Sequence, residues 1–518
     1  MRSAFQRWLC RPAAPLAIGL IALLLASPAL TTGLSGDDFF QRLVLTGRGD
    51  IAAIPKSPLA MFVWASGDEA QTRAMMEVGM TPWWTDPQLK MAYFRPLSVM
   101  THWLDYRLWP DSPWLMHLHS LLWFALALLP LWRLYQRLLG PPSGAAWLPA
   151  LALLLFAVDD AHGMTLSWIA NRNALVALAI GLPVIVLHDR AVRDADVRAG
   201  RVAPVVLLIA LLGSESALAV PLYLLAYAVF LDPAPRGRAL LRLLPHAVVV
   251  LLWGATYRAM GFGAHGSGLV VDPATEPLRY LASATERVPA LLTAQLAFPP
   301  ADFFEAYPLL APWLPRVMNP VLLLVLVVMV LALVPLLRAQ PTARFFALGA
   351  ALATLPVCAQ FPHDRLLLFV GVGGAPLVAC LLRAWLERID PPRSPLGLRG
   401  QWIVTRICVG LHLGLAPLWL PLRVRAPLDG QRMIDTADRS IDASAAVRDK
   451  TVVLMNPPFD AYAGYVPPTR AALGKNRPHA VRWLATAGGD VSIERVDART
   501  LRVRPSLGFL ALPSETMQ

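Results

Sequence analysis

The chain has 518 residues, 56% of them hydrophobic and only 15% charged, with a mean hydropathy of +0.52. Soluble domains average roughly 45–50% apolar and about 25% charged residues, so this composition excludes an ordinary soluble protein and indicates a polytopic membrane protein. The net charge of +12 does not indicate a nucleic-acid partner: the arginines cluster between apolar runs, as the positive-inside rule produces, and no basic-aromatic module stands apart.

The N-terminal stretch "MRSAFQRWLCRPAAPLAIGLIALLLASPAL" has the basic start and apolar centre of a signal peptide. The apolar run continues over 15–34, however, about the ~20 residues a spanning helix needs, so it is read as an uncleaved first helix. Further apolar runs predict helices at 114–134, 146–158, 174–187, 202–212, 217–231, 243–260, 317–337, 345–359, 366–386 and 402–420, about eleven crossings in total. Arginine-rich segments such as 190–201 and 383–399 fall on alternate sides from arginine-poor loops. That bias places the N-terminus inside and the C-terminus outside.

Residues 1–422 are therefore expected to form a transmembrane domain with large outer segments at 37–113 and 261–316. Beyond 422 the chain is polar. "KTVVLMNP", "DVSIERVD" and "RTLRVRPS" alternate as strands, the last two as a hairpin, while "ADRSIDASAAVRD" reads as a helix. The expected fold is an all-α polytopic membrane protein with a small C-terminal α/β domain, 423–518, on the extracytoplasmic face. No cysteine falls in this tail, so no disulfide framework is expected there.

With that topology the ionisable residues near helix ends gather on one side. Asp37 and Asp38 follow the first helix directly, and Arg95 in "YFRPLS" precedes the second. "FAVDDAHGMTLSWIANRN" contributes Asp159, Asp160, His162, Trp168 and Arg172; "LLGSESALAVP" contributes Glu215; "CAQFPHDRLLLF" contributes His363, Asp364 and Arg365. Charges near a bilayer core cost something like ~2.5–3.5 kcal/mol even on lenient scales, so such residues need a partner or a task. Taken singly, Asp37–Asp38 reads equally as a solvated turn or a site, His162 as a satisfied interface histidine and Arg365 as the neutralising partner of Asp364, whereas Glu215 lies in an otherwise apolar hairpin and needs a partner. Their convergence on one face is the stronger observation.

"YFRPLSVMTHWLDYRLW", "MHLHSLLWFALALL", "FAVDDAHGMTLSWIANRNALVA" and "LLGSESALAVPLYLLAY" together resemble the membrane half of TMTC-type O-mannosyltransferases and their bacterial relatives. These belong to the GT-C class of glycosyltransferases that use polyprenyl-phosphate sugars. The resemblance runs in order over about 15–231, and more faintly over "PHDRLLLFVGVGGAPLVA". It implies a GT-C-like fold in a bacterial inner membrane, a polyprenyl-phosphate-linked sugar donor, and an acidic residue of the first outer loop as catalytic base. Three positions depart from the family's pattern: Met164 where an acidic residue is usual, Ser214 in place of a lysine, and Ser120 in place of an asparagine. Where that family carries tetratricopeptide repeats, this chain has its polar tail.

A polyprenyl-phosphate sugar already carries a good leaving group, so the reaction needs a base for the acceptor hydroxyl and positive charge for the departing phosphate. Asp37 or Asp38 suits the base, and two adjacent carboxylates raise one another's pKa. Arg95, Arg172 or Arg365 suits the phosphate, since guanidinium offers a bidentate fork. His162, Trp168, Glu215, His363 and Asp364 complete the expected substrate-binding set. Asp159 and Asp160, with His162, are candidate ligands for Mg²⁺ or Mn²⁺, as hard oxygens and imidazole allow.

"NPPF" at 456–459 looks like an adenine-N6 methyltransferase motif but lacks a glycine-rich nucleotide-binding unit after a strand. Two readings stay open beside glycosyl transfer to a glycan, lipid or protein acceptor. One is a transporter or flippase of a lipid-linked saccharide. The other is a catalytically silent GT-C scaffold.

Overall fold

The computed structural model describes residues 4–48, 51–141, 145–304, 313–387, 395–455, 460–484 and 490–506. Seven of its helical stretches are long and apolar enough to cross a membrane: Ala14–Thr31, Pro113–Leu139, Ile169–Arg193, Arg236–Ala259, Leu314–Ala339, Leu368–Leu386 and Arg399–Arg439. An eighth crossing results if Leu148–Ala157 and Asp160–Ser167, bent by 41° at their junction, are taken as one span. The chain is a multi-pass membrane protein. Helices occur at all eleven expected places, but Val197–Leu211, Glu215–Phe230 and Pro341–Val357 are too short to be counted as independent crossings. Apolar character alone did not separate them from full spans.

The buried centre is formed by Leu148–Ala157, every residue of which is buried, and by Leu368–Leu386, buried along nearly its whole length. Both are apolar on all sides, as a helix surrounded by other helices must be. By contrast Leu314–Ala339 exposes Leu323, Leu324, Val327, Val328 and Leu331, the character of a lipid-facing span.

The long segments between spans are more ordered than the sequence indicated. Helices form at Asp37–Thr46, Glu69–Val78, Pro96–Leu108 and Pro277–Leu296. Strands β1 (Val63–Ser66), β2 (Lys90–Ala92) and β3 (Gly263–His265) make an antiparallel sheet in that order, with Lys90 opposite His265 and Met91 opposite Ala264. This sheet joins two segments far apart in sequence into one structure beside the bundle.

The helix Asp37–Thr46 has simple local causes. Gly36 takes φ +53 at the turn before it, a conformation disfavoured for a residue with a Cβ, and Gly47 closes it in the left-handed region. Two aspartates in its first turn meet the positive end of the helix dipole.

No linker marks residue 422. The helix Ala416–Arg423 is followed almost at once by Ala426–Arg439. The expected helix over 437–449 is interrupted: after Arg439, the Asp442 carboxylate accepts from the Ser444 N–H at 2.8 Å, and only the 3-10 turn Ala445–Asp449 follows. Such a local side-chain bond competes with helix continuation. β4 (Thr451–Leu454) pairs in parallel with β5 (Ala480–Trp483). β6 (Val491–Arg495) and β7 (Leu501–Pro505) form the expected hairpin, separate from the β4–β5 pair. The "NPPF" motif lies outside the described residues.

Candidate active site

The structure contains a cavity of about 2300 Å³. Asp37, Arg95, Trp168, Glu215, His363 and Arg365 all line it. Five chain segments separated by up to several hundred residues thus meet at this cavity.

Asp37 faces the cavity, and its Oδ1 accepts from the Tyr465 hydroxyl at 2.6 Å. Burial pushes the Asp37 carboxyl above the ordinary carboxylate range, against the lowering effect of Tyr465 and of the positive charges of Arg365 and Arg95. Asp38, one residue on, turns into the protein. It accepts from the Ser35 N–H at 2.9 Å and from the Ala170 N–H at 2.7 Å. Burial, with the neighbouring Asp37 charge, raises it to about 7 against those two donors. Of the two expected bases, only Asp37 is placed to meet a substrate.

The Arg365 guanidinium lies 5.7 Å from the Trp168 ring centre and 5.9 Å from that of Phe361, and donates to Gln360 at 3.1 Å. The Trp168 indole N–H in turn donates to the Ser35 carbonyl at 3.2 Å, which ties this platform to the residues just before Asp37. Arg95 donates to Glu215 at 2.7 Å and stacks over Tyr93 at 4.6 Å and Phe62 at 5.0 Å. Glu215 therefore has the partner its apolar surroundings demanded.

Besides Asp38, five expected site residues lie elsewhere. Arg172 is fully buried and ion-paired to Asp105 at 2.5 Å, and it donates to Ser120 Oγ at 2.9 Å and the Met116 carbonyl at 2.8 Å. It pins helices together and does not line the cavity. Asp159 is engaged by the Ala161 N–H and by Gln295, and Asp160 by Arg423 at 3.3 Å. The His162 ring packs against Phe156 and Phe124. Among the described residues, no group of three or more His, Cys, Asp or Glu side chains could hold a metal ion. Of the expected Asp159–Asp160–His162 ligand set, both carboxylates are engaged by protein donors, and the His162 ring is buried against aromatic side chains.

Asp364 is likewise buried, paired with Arg423 at 2.5 Å and accepting from the Ala301 N–H at 2.6 Å. Burial and the neighbouring Asp302 charge raise it to about 7, against the pull of Arg423. His363 borders the cavity but pairs with Asp302 at 2.9 Å. Asp302, which also pairs with Arg423, had no role in the sequence reading.

Several lining residues carried no such signal: Trp64, Tyr93, Tyr257, the Arg258–Asp272 pair and Tyr465. Tyr93 stood two residues before Arg95 in a stretch already singled out. Tyr465 sits in the polar tail, 428 residues from Asp37, where no local pattern points to it.

No protein-family model matches the chain, and no curated protein does. Among solved structures it is similar to the oligosaccharyltransferase of Archaeoglobus fulgidus in its apo form, at 11% identity and a TM-score of 0.44, over 91% of this chain and 64% of that one. The same enzyme in complex with Zn and sulfate gives 12%, 0.45, 90% and 62%. ArnT from Cupriavidus metallidurans bound to undecaprenyl phosphate gives 14% and 0.41, over 91% of this chain and 90% of that one. The chain spans somewhat less than two thirds of the oligosaccharyltransferase. Likenesses this distant assign neither an activity nor a ligand.

Proposed function

We propose that this chain is an integral-membrane glycosyltransferase of the GT-C class. It moves a sugar from a polyprenyl-phosphate-linked donor to an acceptor hydroxyl on the extracytoplasmic face of a bacterial inner membrane, with the N-terminus inside. The observation that carries the reading is the placement of Asp37. A buried carboxylate, six residues beyond the end of the first span, lines a large cavity that also presents Arg95 and Arg365.

In this reading Asp37 removes the acceptor proton as the acceptor oxygen bonds to the anomeric carbon. The bond from that carbon to the phosphate oxygen breaks, and the polyprenyl phosphate leaves with the electron pair. Its raised pKa makes Asp37 a better base near neutral pH than an exposed aspartate, a contribution typically worth ~10²–10⁴-fold. Arg365, oriented by Trp168 and Phe361, meets the charge developing on the phosphate, and Arg95 adds a second positive charge to the same cavity. Asp38 and Arg172 hold the scaffold and take no part in the transfer.

The test uses the purified full chain in lipid nanodiscs with a panel of undecaprenyl-phosphate-linked sugars, following release of undecaprenyl phosphate. Release by wild type and its loss in Asp37→Asn are expected. No release from any donor, or unchanged release by Asp37→Asn, overturns the reading.

A further inference from the structure

The C-terminal segment grips the residues around Asp37 at several points. Ser35 Oγ donates to the Pro427 carbonyl at 2.8 Å, and the Gly36 N–H donates to Gln431 at 3.3 Å. The Tyr465 ring lies against Gly36, where a Cβ would stand 3.5 Å away, and its hydroxyl ends on Asp37. Tyr465 is itself held at the start of the helix Val466–Ala472, whose Ala471 and Ala472 pack on the cluster containing Phe40, Leu43 and Val44 of the Asp37 helix. The phenol is therefore positioned from both of its neighbours.

We propose that Tyr465 is a positioning residue for Asp37, holding its carboxylate ionised and aimed into the cavity through the hydrogen bond from its hydroxyl to Oδ1. The carboxylate stands among opposing influences. Arg365 and Arg95 attract it, Asp38 repels it, the Trp64 indole beside it in the cavity wall favours its ionised form, and the Tyr465 hydroxyl donates to Oδ1 at 2.6 Å. Without the phenol, burial would leave the acid protonated at higher pH, and the arginines would draw the carboxylate toward themselves. Burial and the Asp37 charge hold the phenol's own pKa well above the usual tyrosine range, so it remains a donor throughout the neutral range. The catalytic use of Asp37 rests on the glycosyl-transfer reading; the hold that Tyr465 has on its titration does not.

The experiment titrates Asp37 directly in the purified full chain. A water-soluble carbodiimide with a small amine modifies protonated carboxyls, and mass spectrometry of the Asp37 peptide across pH 4–9 gives the midpoint. Tyr465→Phe removes one oxygen and keeps the ring against Gly36. It is expected to move the midpoint upward by about one pH unit, because a donor to the ionised form is lost. Tyr280→Phe, whose hydroxyl donates to the Leu355 carbonyl elsewhere on the cavity wall, is the control and leaves the midpoint in place. An unmoved or lowered midpoint in Tyr465→Phe overturns the proposal. So does loss of the fold in that variant, which would make the hydroxyl a structural pillar. The labelling needs no sugar donor, so its outcome is separate from that of the transfer assay.

Discussion

Asp37 and Asp38 are neighbours in the chain and opposites in the structure: one carboxylate faces the cavity and the Tyr465 hydroxyl, the other closes on the backbone N–H groups of Ser35 and Ala170. The two residues head one helix, and successive positions on a helix are rotated by roughly 100°. Removing either is expected to have a different consequence. Asp37→Asn should cut turnover by about 10²-fold or more with little change in donor affinity or thermal stability. Asp38→Ala should strand two buried N–H groups and destabilise the protein by about 1–3 kcal/mol, read as a lowered unfolding midpoint. Equal turnover loss with no stability change in Asp38→Ala would contradict this division.

Two of the three arginines suited to the phosphate, Arg172 and Arg365, should also separate. Arg172→Met leaves Asp105 buried beside His119 without its guanidinium, a change that typically costs ~3–5 kcal/mol when one member of a buried pair is removed. The expected result is poor folding, seen as loss of a monodisperse peak in detergent chromatography. Arg365→Ala should fold normally and weaken binding of undecaprenyl-phosphate sugars by tenfold or more, measured by a lipid-donor displacement assay.

Activity should depend on pH with a definite sign. Asp37 works as a base only when ionised, and burial raises its pKa above the ordinary carboxylate range. Turnover is therefore expected to fall on acidification at a pH clearly above 4, the usual value for aspartate. A profile flat down to pH 4 would show that the group removing the proton has an unperturbed acidity and is not Asp37.

The C-terminal segment should be coupled to the loop between the first two spans through Gly79. Its φ of +77 suits glycine, and a Cβ there would come within 2.5 Å of the Val481 side chain. Beside it the Trp483 indole N–H donates to the Gly79 carbonyl at 3.1 Å, and Arg482 pairs with Glu77. Gly79→Ala adds a backbone penalty of roughly 1–2 kcal/mol to that collision. Faster trypsin cleavage after residue 423 is the expected outcome, and an unchanged cleavage pattern would count against the docking.

Membrane character, the position of each apolar helix and the β6–β7 hairpin were legible in the sequence, which also singled out Asp37, Arg95, Trp168, Glu215, His363 and Arg365 without separating them from six residues that lie outside the cavity lining. These follow from apolar run length, alternation and charge bias, which are local properties of the chain. Tertiary structure alone decided that Asp38 and Arg172 are structural, that Asp159 and Asp160 are held by Gln295 and Arg423, and that Tyr465 reaches Asp37. A carboxylate or guanidinium has the same spelling whether it meets solvent, substrate or a buried partner. Which of these it meets depends on the rotation of its helix and on residues hundreds of positions away, and only packing sets both.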